Sequence, residues 1–162
     1  MQYRFGYGVD AHRLDAGVPL VVGGVSIPSP KGSKGHSDGD VLFHSIVDAI
    51  LGSLALGDIG QHFPSDESRW ENANSRKFLN HAFALMTEKG FSIVNIDATI
   101  ILQDPKLTSH ILQMRKNLAD VFSADLDRMS VKATTTDKMG FIGKGEGIAA
   151  TAVVLISDNN GG

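Results

Sequence analysis

From His36 the sequence runs His36-Ser37-Asp38-Gly39-Asp40-Val41-Leu42-Phe43-His44, a polar, glycine-containing loop leading into an apolar helix. Asp40 suits the N-cap, where its carboxylate accepts from the first unpaired N–H groups of a helix continuing through Val41, Leu42, Ile46, Val47, Ile50 and Leu51. His36 and Ser37 therefore stand just ahead of a helix N-terminus, whose free N–H groups and dipole favour an anion such as phosphate. His44 falls one turn into the same helix, with Asp48 one turn further along the same face, where it would orient the imidazole. Residues 3–12 read as extended, so Asp10 and His12, two apart, project from one side. Asp10, His12 and His44 then offer one oxygen and two nitrogens. Three protein ligands leave the fourth position of a tetrahedral zinc open, the pattern of a catalytic ion. Taken singly, His44 reads as a half-buried core histidine beside a surface aspartate, and only the company of Asp10 and His12 shifts that balance.

A second polar stretch follows a predicted strand at residues 129–133. It holds Thr134, Thr135, Thr136 and Asp137, then glycines at 140, 143, 145 and 147. The threonines alone serve equally well as strand-end residues. With glycines that allow close backbone approach, they suit phosphate or pyrophosphate oxygens. Asp137 suits a harder cation, since Mg²⁺ is commonly held through one or two carboxylates plus substrate phosphates. The residues by themselves thus point to two metals and a polyphosphate ester.

Composition narrows the field. A chain of 162 residues is read as one domain over 1–162, burying roughly 70% of the surface its unfolded form exposes. With no cysteine there is no disulfide, thiolate ligand or cysteine nucleophile, so a metal must be held by His and carboxylate, and a reducing compartment fits. A net charge of −3 without a basic stripe argues against nucleic acid. The longest apolar run, residues 148–156, is too short to span a bilayer and reads as a buried strand. The chain starts on its first strand with no leader pattern, so a cytoplasmic protein without membrane association is expected.

The elements that must position these groups alternate. Residues 18–22 and 25–27 form a hairpin split by Gly23-Gly24, and residues 29–35 read as a flexible connector. The first helix is expected over 41–56, ending at Gly57, followed by a long, functional-looking loop over 58–74. A second helix covers 75–89, with His81 on its polar face, and a strand buried on both faces covers 91–102. A third helix covers 107–122. The predicted class is α+β: a mainly antiparallel or mixed sheet with helices on one face, a ferredoxin-like variant.

In order and spacing these residues resemble one family. The motifs are Asp10-Ala11-His12, His36 to Asp40 with His44, Asp58-Ile59-Gly60, Gln103-Asp104-Pro105-Lys106, and Lys132-Ala133-Thr134-Thr135-Thr136-Asp137 followed by Gly140-Phe141 and Gly145-Glu146-Gly147. Over nearly the whole chain they are similar to the 2-C-methyl-D-erythritol 2,4-cyclodiphosphate synthases. Each motif alone is weak, but their joint order is specific. The resemblance implies a phosphorus–oxygen lyase of the non-mevalonate isoprenoid route. It converts 4-diphosphocytidyl-2-C-methyl-D-erythritol 2-phosphate to 2-C-methyl-D-erythritol 2,4-cyclodiphosphate and CMP. It also implies a homotrimer with active sites between subunits and an isoprenoid diphosphate in the trimer core.

Carried over by position, Asp10, His12 and His44 are zinc ligands, His36 and Thr135 stabilise the transition state, and Asp137 holds the Mg²⁺ or Mn²⁺ that bridges the substrate diphosphate. Asp58, Ile59, Gly60, Phe63, Ser65 and Glu67 match the methylerythritol side, and Asp10, His12, His36 and Ser37 are also substrate-binding. Leu102, Asp104, Pro105, Lys106, Leu107, Thr134, Thr135, Thr136 and Asp137 match the cytidine diphosphate side, with Phe141 and Lys144 nearby. Three positions depart from the family pattern. Asp137 replaces a usual Glu, shortening its reach by ~1.5 Å. Ser65 replaces an Asp, and Lys144 replaces an Arg with loss of the fork geometry. Two other classes remain in view. A metal-dependent phosphoester hydrolase would need a base, for which Asp38 and Asp48 are the candidates. An isoprenoid-diphosphate binding module would not need the Gln103 to Lys106 segment.

Overall fold

The computed structural model of the chain describes residues 1–158. Its centre is the packing of one helix, α1 (Val41–Ser53), onto one long strand, β1 (Tyr3–Ala16). Gly6 and Gly8 make this contact possible. A Cβ on Gly6 would stand 1.8 Å from the Ala49 carbonyl oxygen, and one on Gly8 1.9 Å from that of Ser45. Only hydrogen at both positions lets helix backbone lie on strand backbone, and the same face of β1 carries Asp10 and His12 onward beneath His44. Val41, Leu42, Ile46, Val47, Ile50 and Leu51 are wholly buried around this contact.

The helix start is held by Asp40, itself wholly buried. Its carboxylate accepts from Phe43 N–H at 3.1 Å, and from the Gly23 and Gly24 N–H groups at 2.9 and 2.7 Å. Those glycines, at φ 60° and 71°, turn the hairpin of β2 (Leu20–Val22) and β3 (Val25–Ile27), as a tight turn with two left-handed positions requires. Burial pushes the Asp40 carboxyl up to about 6 despite its three donors.

The main sheet has the order β4-β1-β7-β5-β6, with β4 (Lys31–Lys34), β5 (Phe91–Ile101), β6 (Met129–Thr134) and β7 (Gly147–Asp158). Every pairing is antiparallel except β5 with β6, whose connection crosses over through a helix. The helices α1, α3 (Arg76–Glu88) and α4 (Ile111–Phe122) cover one face, giving the α+β, mixed-sheet architecture expected.

Several local expectations change. The connector at 29–35 contains strand β4, paired with β1 from Arg13 to Ala16, because β1 runs past His12 to Ala16. The first helix ends at Ser53 rather than near Gly57. The 58–74 loop contains a short helix, α2 (Ile59–His62), and a 3₁₀ turn, Ser68–Trp70. The third helix begins at Ile111 after a 3₁₀ turn, Thr108–His110, and the glycine-rich stretch holds a helical turn, α5 (Gly140–Gly143). On β5 only one face is fully buried, through Phe91, Ile93, Ile96, Ala98 and Ile100. The opposite sheet face is open and carries Tyr3, Phe5, Tyr7, Val9 and Val153 as exposed apolar side chains. Among the described residues no helix is long and apolar enough to cross a membrane.

Candidate active site

Asp10, His12 and His44 converge. Asp10 Oδ2 lies 2.8 Å from His12 Nε2 and 3.0 Å from His44 Nδ1, and the two nitrogens are 3.1 Å apart. Ligand atoms ~2.0–2.1 Å from a tetrahedral ion stand ~3.3 Å from one another, so this triangle is a slightly contracted face of such a site. Among the described residues it is the one group of three or more His, Asp and Glu ligand atoms close enough to share an ion. Burial works to raise the Asp10 carboxyl, but hydrogen bonds with His12 and His44 and their charge outweigh it and hold the group at about 2.

The state of His44 follows from its other nitrogen. Ser75, wholly buried at the start of α3, contacts the Asp38 carboxylate through its hydroxyl and lies 2.8 Å from His44 Nε2. A carboxylate can only accept, so the single Ser75 O–H goes to Asp38, and His44 donates its Nε2–H to Ser75. On a neutral ring His44 Nδ1 is then a lone pair facing a carboxylate oxygen. Such a contact is unfavourable without a positive charge between the two, and the donor set therefore fits a cation. Ser37 Oγ lies 3.0 Å from the same His44 nitrogen and 3.3 Å from Ser75 Oγ. The residue expected in this role, Asp48, is elsewhere: its carboxylate accepts from Ile59 N–H at 3.1 Å. One helical turn separates it from His44, but at that level α1 already faces α2.

Residues 36–38 run beside 72–75. Asn72 N–H donates to the His36 carbonyl, Asp38 N–H to the Ala73 carbonyl, and Ser75 N–H to Asp38, at 2.8, 3.0 and 3.0 Å. The His36 ring donates from Nε2 to the Glu67 carbonyl at 3.0 Å. A cavity of ≈ 520 Å³ opens between these segments and the triad. It brings together Asp10, His12, His36, Ser37, His44, Ile59, Gly60, Phe63 and Ser65 from the predicted set. Its far wall is aromatic: Phe63 packs on Phe78 and Trp70 with ring centroids 4.2 and 5.1 Å apart. Asp58 caps α2 through Gln61 N–H at 2.9 Å, and the Glu67 carboxylate pairs with Arg69.

The other half of the predicted set lies apart. A second cavity, ≈ 320 Å³, is lined by Leu102, Pro105, Lys106, Leu107, Thr134 and Thr135. Asp104 lines a further recess with Pro105 and Lys31, and Phe141 borders a polar hollow with Lys31 and Glu146 on the other side of His12. Thr136 Oγ1 donates to the Met139 carbonyl, while Asp137, at φ 50°, donates its N–H to Thr135 Oγ1 at 3.2 Å. The Lys144 backbone ends α5. Asp10 is in register with Ala150, Ala150 with Ile100, and Ile100 with Ala133. Three strand spacings of ~4.8 Å, roughly 14 Å, therefore separate the Asp10 strand from the end of β6 that leads into Thr135 and Asp137.

Ser75, Trp70, Phe78 and the Glu67 carbonyl were not anticipated. Ser75 carries only the ordinary signal of a serine before a helix, and nothing in its own neighbourhood points at His44. His81, read as a polar-face residue, contacts His62 across the gap between α3 and α2, with 3.4 Å between His81 Nε2 and His62 Nδ1.

A model of the YgbB family matches residues 3–157. The 2-C-methyl-D-erythritol 2,4-cyclodiphosphate synthase of Geobacter sulfurreducens is 57% identical over 155 residues, which cover 96% of this chain and 99% of that protein. Among solved structures, the bifunctional IspDF of Campylobacter jejuni matches 97% of this chain with a TM-score of 0.93 and 43% identity, and this chain spans 42% of that longer one. The IspF of Plasmodium falciparum in complex with CDP matches 98% of this chain and 97% of its own, with a TM-score of 0.86 and 37% identity.

Proposed function

The chain belongs to the YgbB family, and from that we infer that it closes the cyclic diphosphate of 2-C-methyl-D-erythritol 2,4-cyclodiphosphate from the 4-diphosphocytidyl 2-phosphate, releasing CMP. It is an enzyme of the lyase class. The observation that carries the reading to this molecule is the triangle of Asp10, His12 and His44 at the mouth of a cavity with His36 on its rim.

The reaction needs no protein base. A phosphate monoester has its second pKa near ~6, so the attacking 2-phosphate oxygen is already largely ionised at neutral pH. That oxygen forms a bond to the β-phosphorus, the bond from the β-phosphorus to the bridging oxygen breaks, and CMP leaves with the bridging oxygen and its electron pair. The chain's task is to position and to neutralise. A zinc ion held by Asp10, His12 and His44 would supply Lewis-acid polarisation of the β-phosphoryl group. Mg²⁺ or Mn²⁺ held by Asp137 would offset charge on the diphosphate, and an exposed carboxylate in a turn leaves room for phosphate oxygens to complete such a hard ion's shell. His36, its Nε2–H held by the Glu67 carbonyl, would donate to a phosphoryl oxygen from Nδ1 as an imidazolium, and Thr135 would donate from its hydroxyl. Asp58, Ile59, Gly60, Phe63, Ser65 and Glu67 enclose the methylerythritol end, and the Leu102 and Thr134 segments take the cytidine diphosphate, the ligand class found with the Plasmodium falciparum relative.

Thr135 and Asp137 lie too far across the sheet from the triad of their own chain to grip the same diphosphate, since neighbouring phosphorus atoms sit only a few ångströms apart. The reading therefore pairs the triad of one subunit with the threonine loop of another, in a homotrimer packed through the apolar face of Tyr3, Phe5, Tyr7, Val9 and Val153. Light scattering should give roughly three times the 17.3 kDa chain mass, and a fully active monomer would refute it. Hydrolysis is disfavoured because both candidate bases are engaged, Asp38 by Ser75 and Asp48 by Ile59. Incubation with the cytidine diphosphate substrate, followed by phosphorus NMR, should show the two coupled signals of a cyclic diphosphate with CMP. Linear phosphate products would instead support the hydrolase.

A further inference from the structure

Outside the active cavity, α2 and α3 are joined by a pair of imidazoles, His62 and His81. His62 directs Nε2 to the Leu56 carbonyl at 2.9 Å. A carbonyl only accepts, so this nitrogen carries the proton, and Nδ1 is left as a lone pair 3.4 Å from His81 Nε2. With no ion between them, His81 Nε2–H donates to that lone pair, and two features also suit the pair to a metal ion in place of the proton. The nitrogen separation matches the ~3.3 Å edge of a tetrahedral site with ligand distances of ~2.0–2.1 Å. The backbone carbonyl behind His62 is also the kind of partner that fixes the tautomer and direction of metal-bound histidines.

We propose that His62 Nδ1 and His81 Nε2 form a second, surface site for a zinc-class divalent ion, distinct from the Asp10, His12 and His44 site. Imidazole nitrogens select zinc and its borderline neighbours over Mg²⁺, which takes oxygen. His81 is exposed, so an ion has access. Burial and the adjacent His62 hold the His81 imidazole below its ordinary value, which keeps its ring available as a neutral ligand. No third carboxylate or histidine among the described residues joins the pair, so water completes the coordination and binding is weaker than at the three-ligand site.

The site lies directly behind the aromatic wall of the active cavity. The Phe63 ring centroid is 5.2 Å from that of His81 and 5.1 Å from that of Trp70. An ion bridging the histidines clasps α2 to α3 and restrains the Phe63 wall. Trp70, the chain's only tryptophan, reports on it.

The test uses zinc-loaded protein, titrated with further Zn²⁺ by calorimetry and with Co²⁺ or Cu²⁺ by Trp70 fluorescence. One weaker equivalent beyond the first is expected, with quenching by the paramagnetic ions. His81→Ala and His62→Ala should each weaken that equivalent at least tenfold and abolish the quenching while retaining the tight zinc. His44→Ala should show the opposite pattern. His81→Gln, which keeps a hydrogen-bonding side chain but lacks the imidazole, should behave like His81→Ala. The proposal is overturned if the wild-type protein binds no second equivalent, or if a second equivalent survives unchanged in His81→Ala.

Discussion

Replacing Ser75 by alanine removes one hydroxyl and tests how His44 is held. In the wild type that hydroxyl passes the negative charge of Asp38 to the His44 Nε2–H, 2.8 Å away, so that Nδ1 faces the metal position as a lone pair. Loss of such a partner typically lowers metal affinity or activity ~10- to 100-fold. The structure places the single variant at the lower end, because Ser37 Oγ remains 3.0 Å from the same nitrogen and can accept its proton. Ser75→Ala should therefore weaken zinc about tenfold, about 1.4 kcal/mol. The double variant Ser37→Ala/Ser75→Ala should approach the full ~100-fold. Asp38 keeps backbone donors from Ser75 at 3.0 Å and Asp40 at 3.1 Å, so the fold should survive with a loss of about 1–2 kcal/mol. Competition with a chromophoric chelator measures the affinity, urea denaturation of the metal-free protein checks the fold, and His44→Ala sets the reference for complete loss of tight zinc. Wild-type affinity in the double variant would refute the reasoning, since His44 would then need neither hydroxyl.

Asp137→Ala should keep tight zinc and lower kcat far more than it raises KM, because charge on the departing CMP is greatest in the transition state. Asp137→Glu should be milder, and steady-state kinetics across a Mg²⁺ titration separate the cases; a wild-type kcat with unchanged Mg²⁺ dependence in Asp137→Ala would remove the group from this role. The buried Asp40 makes a pH prediction. Its folded pKa of about 6 lies above the ~3.9 of an unfolded aspartate, so the folded chain holds the proton more tightly. That contribution is fully present below about pH 4 and is lost as pH rises through 6, so urea-derived stability should fall across that window. Asp40→Asn, though less stable throughout, should lack that slope, and an unchanged slope would assign it to another group. Asp10, held at about 2, acts in the opposite sense at lower pH, its stabilisation being lost only as pH falls towards 2.

Much of this molecule is written locally. The Asp40 cap, the Gly23-Gly24 hairpin, the apolar stripe of α1 and the alternation that puts Asp10 and His12 on one face all depend on residues within a few positions of each other. Local propensity and side-chain chemistry act over that range, so the two parts of the triad, Asp10 with His12 and His44 behind its cap, are each legible there, while their meeting depends on α1 lying on β1. What could not be read there joins distant segments. Ser75, rather than the nearer Asp48, supports His44 because packing brings the start of α3 against the 36–38 loop, whereas Asp48 is taken by the Ile59 N–H. The 29–35 connector becomes an edge strand because β1 runs on past His12 with backbone groups that need partners. The separation of the triad from the Thr135 and Asp137 loop appears only in the strand order, where β7 and β5 lie between β1 and β6. Residue types and spacing could single out both the triad and the Thr135 and Asp137 loop. Only the sheet topology decides that one chain holds them apart, because a strand's neighbours are set by long-range pairing that no short stretch of sequence encodes.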